Sequence, residues 1–160
     1  MTNKANQFQQ QPQSLLNSLP KATISPMLDT VSRYLVRIGI DYEVIDDGQG
    51  VDFDVQSPAG NWRCLFALHQ RTGMGIYSTI PTPTPRRKFG QMAVYLMYLN
   101  NRQLFGNFEL DIKTGDVRFK TYLDCDANEL TERLIDRTML RNVTTMQLYM
   151  PHILHIICAA

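Results

Sequence analysis

An α+β fold, with an antiparallel sheet of five to six strands and helices packed on one of its faces, is predicted by three features of this chain of 160 residues. Period-two alternation recurs in a group of four short segments and then in a pair, joined by loops too tight for parallel crossovers. Segments of helical spacing stand before, between and after these groups. With 44% apolar residues the chain has enough side-chain surface to bury a sizeable core. One domain is expected over residues 25–160, preceded by a mobile Gln/Asn-rich tail at 1–24 whose one apolar cluster is Leu15, Leu16 and Leu19.

The first helix starts at Ser25-Pro26, a capping hydroxyl followed by a residue whose missing N–H has no helical partner to lose. Met27, Leu28, Val31, Tyr34, Leu35 and Ile38 recur at helical spacing, and Gly39 ends the run. Weak alternation around Tyr42 and Val44 predicts an edge strand, and Asp47-Gly48-Gln49-Gly50 turns the chain into a cleaner strand through Val51, Phe53 and Val55. Ser57-Pro58-Ala59-Gly60 leads to a third strand with Trp62, Cys64, Phe66 and Leu68 on one face, and a fourth follows from Met74 to Ile80. Trp62 is expected between sheet and helices, beside Phe53 or Val55 and Ile76.

Pro81, Pro83 and Pro85 force an extended bridge. A helix is expected from about Arg86 to Gln103. A hairpin follows, Phe108–Ile112 and Val117–Leu123 about the turn Lys113-Thr114-Gly115-Asp116, with Asp111 opposite Arg118 and Glu109 opposite Lys120. Two helices close the chain, one from about Asp126 to Arg141 and one from Asn142 or Thr145 to Cys158, where Pro151 marks a kink or a separate start.

The charges, 16 Lys and Arg against 15 Asp and Glu, give a net +1, which removes the field a nucleic-acid binder usually carries. No apolar run is long enough for a membrane span, and the first residues lack the apolar centre of a signal peptide, so a cytoplasmic protein is expected. Asp46, Asp47, Asp52 and Asp54 read as a solvated face, without the spacing of a calcium loop. His152 and His155 are three apart but lack a zinc motif, and His69 stands alone. Cys64 belongs to a core face, and Cys125 and Cys158 have no neighbour in sequence that would activate a thiolate. No catalytic group, metal or cofactor is expected, and hence no enzyme.

Two surfaces remain. Arg86, Arg87 and Lys88 place positive charge in the first turn of a helix, against its dipole, which fits an anionic partner as well as ordinary solvated surface. The helix behind them is apolar nearly all round from Met92 to Leu99, so Met92, Tyr95, Tyr98 and Leu99 are expected at the interface of a homodimer.

Leu99-Asn100, Gly106-Asn107-Phe108-Glu109-Leu110-Asp111 and Thr114-Gly115-Asp116-Val117-Arg118-Phe119, with the later Tyr149-Met150-Pro151, resemble the YbjN-like family of bacterial proteins and related small cyanobacterial proteins of unknown function. The resemblance spans about residues 26 to 158. It implies a fold like that of type III secretion chaperones, commonly dimeric, and no catalytic residue. Together with the two surfaces it points to a non-enzymatic module that holds a peptide or partner subunit, or alternatively to a regulator acting in signalling or transcription through protein contacts.

Overall fold

The computed structural model describes residues 25–45, 48–69 and 73–159; the expected tail at 1–24 and the acids Asp46 and Asp47 lie outside the described residues. Helix α1 (Pro26–Arg37) leads into strands β1 (Glu43–Ile45), β2 (Gly50–Ser57), β3 (Gly60–Leu68) and β4 (Gly73–Thr79). After the proline bridge come one 3₁₀ turn at Arg86–Lys88, helix α2 (Phe89–Asn100), strands β5 (Asn107–Leu110) and β6 (Val117–Asp124), and helix α3 (Glu132–Cys158). All strand pairs are antiparallel, in the spatial order β1-β2-β3-β4-β6-β5.

The helices cover the sheet face on which the alternation places most of the large apolar side chains. Phe53, Trp62, Phe66, Met74, Ile76 and Phe119 point into a single core with Leu28 and Leu35 of α1, Met92 and Leu96 of α2, and Ile135, Met146 and Met150 of α3. Each such side chain contributes roughly 1.5–3 kcal/mol on full burial. The opposite face carries Asp52, Arg63, Arg118 and Lys120, with Tyr77 lying flat over Gly75, where a Cβ would come within 2.5 Å of the ring. Ser25 Oγ accepts the N–H of Leu28 and caps α1, as its sequence predicts.

At the centre is a polar cluster buried in this apolar layer. Asn142 of α3 is fully buried and its Nδ2 donates to the carbonyl oxygens of Ile76 on β4 and Phe119 on β6 and to Thr121 Oγ1. Its Oδ1 accepts the Ser78 hydroxyl at 2.6 Å, and Ser78 Oγ accepts Trp62 Nε1–H at 2.8 Å. The amide therefore fixes where α3 crosses the sheet.

Four expectations are corrected. Residues after Arg141 do not start a new helix: α3 is continuous for 27 residues, because Asn142 turns its amide into the core and caps nothing. Pro151 lies within α3, where burial of Met150, Ile153 and Ile157 outweighs the hydrogen bond its ring removes. The helix also begins later than Asp126, which heads a separate turn by accepting the N–H groups of Asn128 and Glu129, while Thr131 is the cap of α3. α2 proper likewise covers a shorter span than Arg86–Gln103, since the basic triplet forms a 3₁₀ turn.

The β5–β6 register is displaced by two residues from the expected one, with Glu109 opposite Arg118 and Leu110 opposite Val117. Asp111 has left the ladder: its carboxylate accepts the N–H groups of Lys113 and Thr114, and Gly115 at φ 85° completes a wider loop. Those N–H groups hold the Asp111 carboxyl below the usual range. The expected Ile76 neighbour of Trp62 instead pairs with Phe66; Trp62 faces Val55 across β2 and reaches Ser78 on β4.

Trp62 is 2% exposed. Trp62→Ala should lower stability by roughly 3–5 kcal/mol in chemical denaturation. Trp62→Phe, which keeps an aromatic ring but loses the bond to Ser78 and part of the buried volume, should cost less than Trp62→Ala but more than the ~1 kcal/mol of the hydrogen bond alone. Tryptophan emission should be blue-shifted and resist quenching by iodide; a red, readily quenched spectrum would contradict the packing.

Candidate functional site

The basic triplet divides. Arg86 and Arg87 are exposed, but Lys88 is 8% exposed and turned inward. Its Nζ donates to the carbonyl oxygens of Ile156 at 2.8 Å, Ile157 at 3.3 Å and Ala159, which are among the unpaired acceptors at the C-terminus of α3. The charge that opposes the dipole of α2 thus sits at the negative end of α3. Lys88 is a structural cap, and the expected anion contact reduces to Arg86 and Arg87.

The apolar run of α2 divides in the same way. Met92 and Leu99 are buried in the chain's own core and are unavailable to a partner, and Tyr95 is half-buried, its phenol pushed up by burial and by the neighbouring Tyr149 and Tyr98. The outward stripe is Val94, Met97 and Tyr98, each more than half exposed. Asn100 at the end of α2 has a separate role. Its amide accepts the N–H of Phe108 at 2.7 Å and donates to the Phe108 carbonyl at 3.0 Å, as a neighbouring strand would. One edge of the sheet is closed by a side chain.

The other edge is open. β1 pairs with β2 only from Gly50 to Asp52, so among the described residues no strand lies beside the outer backbone from Phe53 to Ser57. Along it runs a groove of ≈ 720 Å³ between the α1–β1 connection and α3, with Ile40, Tyr42, Val55, Met139 and Val143 among its lining residues. Residues of both faces of β2, Val55 and Asp54, line the same hollow, as they must where a strand is bare. The rim is acidic. Asp41, Glu43, Asp52 and Asp54 face a single base, Arg63, which bonds to Asp52 and lies 3.5 Å from both Glu43 and Asp54. Asp52 and Asp54 are therefore partners of Arg63 on a solvated face, and no cluster able to hold a metal ion occurs among the described residues.

Elsewhere the ionisable groups are structural. Burial pushes the Cys64 thiol up to about 12 against the opposing hydrogen bond with Ser78, and burial also raises Cys125, so neither is a ready thiolate. His152 and His155 are exposed on α3, and His69 is hydrogen-bonded to the Tyr77 hydroxyl. Burial raises Glu109, but the hydrogen bond from Arg118 and the charge of Lys120 outweigh it and hold the carboxyl below its ordinary value. A smaller hollow of ≈ 350 Å³ beside Leu104, Phe105 and Tyr122 is partly filled by Arg141, stacked 4.0 Å from the Phe105 ring centre.

Sequence reasoning missed the groove because Met139 and Val143 reach it from a segment more than 80 residues beyond β2. One signal was present: clean alternation runs the length of β2, whereas the strand before it is weak and short, so part of β2 had to lack a partner.

An antiparallel sheet of six strands covered on one face by three helices defines an α+β protein. The signature of the YbjN family, described as "putative bacterial sensory transduction regulator", matches residues 27–155, and the chain belongs to that family. No curated protein sequence matches it. Its fold is shared by YbjN from E. coli, described as "a putative transcription regulator", at a TM-score of 0.64 and 12% identity over 78% of this chain and 89% of that one. It is shared also by the ExsC–ExsE complex (0.55, 15% identity, 82% and 94% of the two chains) and the HopA1–SchA chaperone–effector complex (0.56, 10%, 79% and 94%). The type III secretion chaperone-like fold is thus established.

Lys88→Ala should destabilise the protein by about 1–3 kcal/mol, since it leaves a buried group's partners unpaired. Amides of the last turn of α3 should exchange faster. Arg86→Ser with Arg87→Ser should leave both readings unchanged; equal losses from the two variants would contradict the division of the triplet.

Proposed function

We propose that this protein is a non-enzymatic binding module that takes an extended segment of a protein partner along the bare edge of β2, with the partner's apolar side chains in the groove. The observation that carries the reading is the outer side of Phe53–Ser57, which pairs with no strand among the described residues, beside Ile40, Tyr42, Met139 and Val143. A strand added there gains main-chain hydrogen bonds along the edge, and its alternate side chains meet the groove. The acidic rim favours a basic or neutral segment. Two structures that share the fold are complexes with a second protein, one of them a chaperone with its effector, which supports the same use of the scaffold here.

Regulation in signalling or transcription is the second reading, favoured by the family's description as a sensory transduction regulator. It employs the same surface and differs in the partner. Arg86 and Arg87 add a contact for acidic groups outside the groove. The protein acts in the cytoplasm under either reading. Among the described residues no helix is long and apolar enough to cross a membrane.

Affinity capture from the native cytosol, read by mass spectrometry, tests the site. Wild type should retain one stoichiometric partner, and Val143→Glu, which places a charge on the half-buried groove wall, should lose it at least tenfold while keeping the wild-type circular dichroism. Retention of the same partner by a folded Val143→Glu protein would exclude the groove. A client protein favours the chaperone-like role, whereas a kinase, receiver or transcription component favours the regulatory one.

The outward stripe Val94, Met97 and Tyr98 is the self-association surface of a homodimer in this reading. Sedimentation at micromolar concentration should give twice the 18.4 kDa chain mass. Val94→Asp with Met97→Asp should give the single mass. A wild-type protein that sediments as one chain would refute the dimer.

A further inference from the structure

β6 carries a second stretch of strand without a neighbour. Asp111 donates its N–H to the Asp116 carbonyl on the outer side of β6, and Ile80 donates its N–H to the Val117 carbonyl on the β4 side. Backbone groups alternate in direction along an antiparallel strand, so Asp116, Arg118, Lys120 and Tyr122 all turn theirs outward. β5 reaches from Leu110 only to Asn107, opposite Lys120. Beyond that point, among the described residues, the outward N–H and C=O of Tyr122 meet no strand and no other backbone partner.

The hollow of ≈ 350 Å³ lies at this stretch, between the loop that follows α2 and the middle of α3, with Leu104, Phe105, Lys120, Tyr122, Thr138 and Arg141 in its lining. Leu104 is 90% exposed, and Phe105 and Tyr122 are close to half exposed. Large apolar side chains grouped at one place on a surface mark a contact site, whereas scattered ones do not. The charge here is the reverse of that around β2. No carboxylate lines the hollow, and Arg137 stands exposed one turn before Arg141 on α3. Arg137 and Arg141 form no ion pair among the described residues, while Glu109 is already held by Arg118 and Lys120.

We propose that this hollow is a second protein-docking site, which takes a short acidic segment of a protein partner in extended form. The segment pairs with the outward N–H and C=O of Tyr122, sets a carboxylate on Arg141 and lays apolar side chains on Leu104 and Phe105. The bare backbone decides for a peptide over a nucleic acid, because a peptide alone returns both a carbonyl and an N–H to a strand edge. The two arginines decide for acidic side chains. A second copy meeting the first through this same patch would bring arginine against arginine. The site is separate from the groove along β2 and stands whether or not that groove holds a partner.

Amide NMR of the isotope-labelled full-length protein, titrated with a short end-blocked peptide of alternating Glu and Leu, tests the site. The amides of Phe105, Gly106 and Tyr122 should shift and saturate, and the Tyr122 amide should become protected from hydrogen exchange. Arg141→Glu should weaken binding about tenfold or more, whereas Arg133→Glu, the same charge change about two turns earlier on α3, should alter it less than about twofold. Leu104→Ser replaces a side chain the fold does not bury, so it keeps the wild-type circular dichroism and should still bind several times more weakly. Val143→Glu should bind the peptide as wild type does. Replacing Glu by Lys in the peptide should abolish the shifts at Tyr122. Shifts confined to Phe53–Ser57, or equal losses in Arg133→Glu and Arg141→Glu, overturn the proposal. So does an oligothymidine that binds more tightly than the peptide and depends on Arg141, which would assign the hollow to nucleic acid. A dimer lost in Arg141→Glu and kept in Val94→Asp with Met97→Asp would assign it to a second copy, and would equally overturn it.

Discussion

The position of α3 over the sheet depends on one buried amide. Asn142 satisfies its oxygen and nitrogen between β4 and β6, and through Ser78 it is joined to the indole of Trp62 on β3. A buried polar group is tolerable only when paired, so sliding α3 along the sheet would strand several donors and acceptors at once. Apolar contact alone would be less selective, because methionine and isoleucine side chains accept many offsets. The rest of the helical layer follows. Tyr34 of α1 donates to Asp136 and Arg37 pairs with Glu132, both on the first turns of α3, while Lys88 ahead of α2 grips its last turn. Met139 and Val143 are brought to the groove by the same placement.

The two edges of the sheet are handled by different means. β5 is short and has its outward N–H and C=O at Phe108 occupied by the Asn100 amide. β2 is longer than its partner β1, and among the described residues its outer side from Phe53 to Ser57 has no paired strand. Exposed edges promote nonspecific association unless charge or cover prevents it. Charge is present around β2, where Asp41, Glu43, Asp52 and Asp54 surround Arg63.

Much of the fold was legible because it is written in local patterns. The Ser25-Pro26 start of α1, the four-strand meander and the placement of Trp62 in the core all follow from period and from turn chemistry within a few residues. What escaped depended on distant partners. Nothing near Lys88 shows that its ammonium meets carbonyl groups at 156, 157 and 159, so it reads like Arg86 and Arg87. Asn142 and Pro151 look like helix breaks because local propensity disfavours both, and tertiary burial overrides that preference. The β5–β6 register slipped for a subtler reason, since either alignment places acids opposite bases and only the capture of two N–H groups by Asp111 decides between them. As for the site, the excess apolarity of α2 was visible, but the division between Met92 and Leu99 inside and Val94 and Met97 outside required the neighbouring elements.

The lateness in sequence of the groups that lock this core has a consequence for biosynthesis. α1 and the meander from β1 to β4 are made first, yet the polar interior at Ser78 and Trp62 stays incomplete until residue 142 exists, and the acceptors of Lys88 at 156, 157 and 159 come later still. A nascent chain therefore carries a half-built, apolar sheet through most of its synthesis and closes it in a final step. In that interval Phe53, Phe66 and Ile76 lack the cover that α2 and α3 give the finished core.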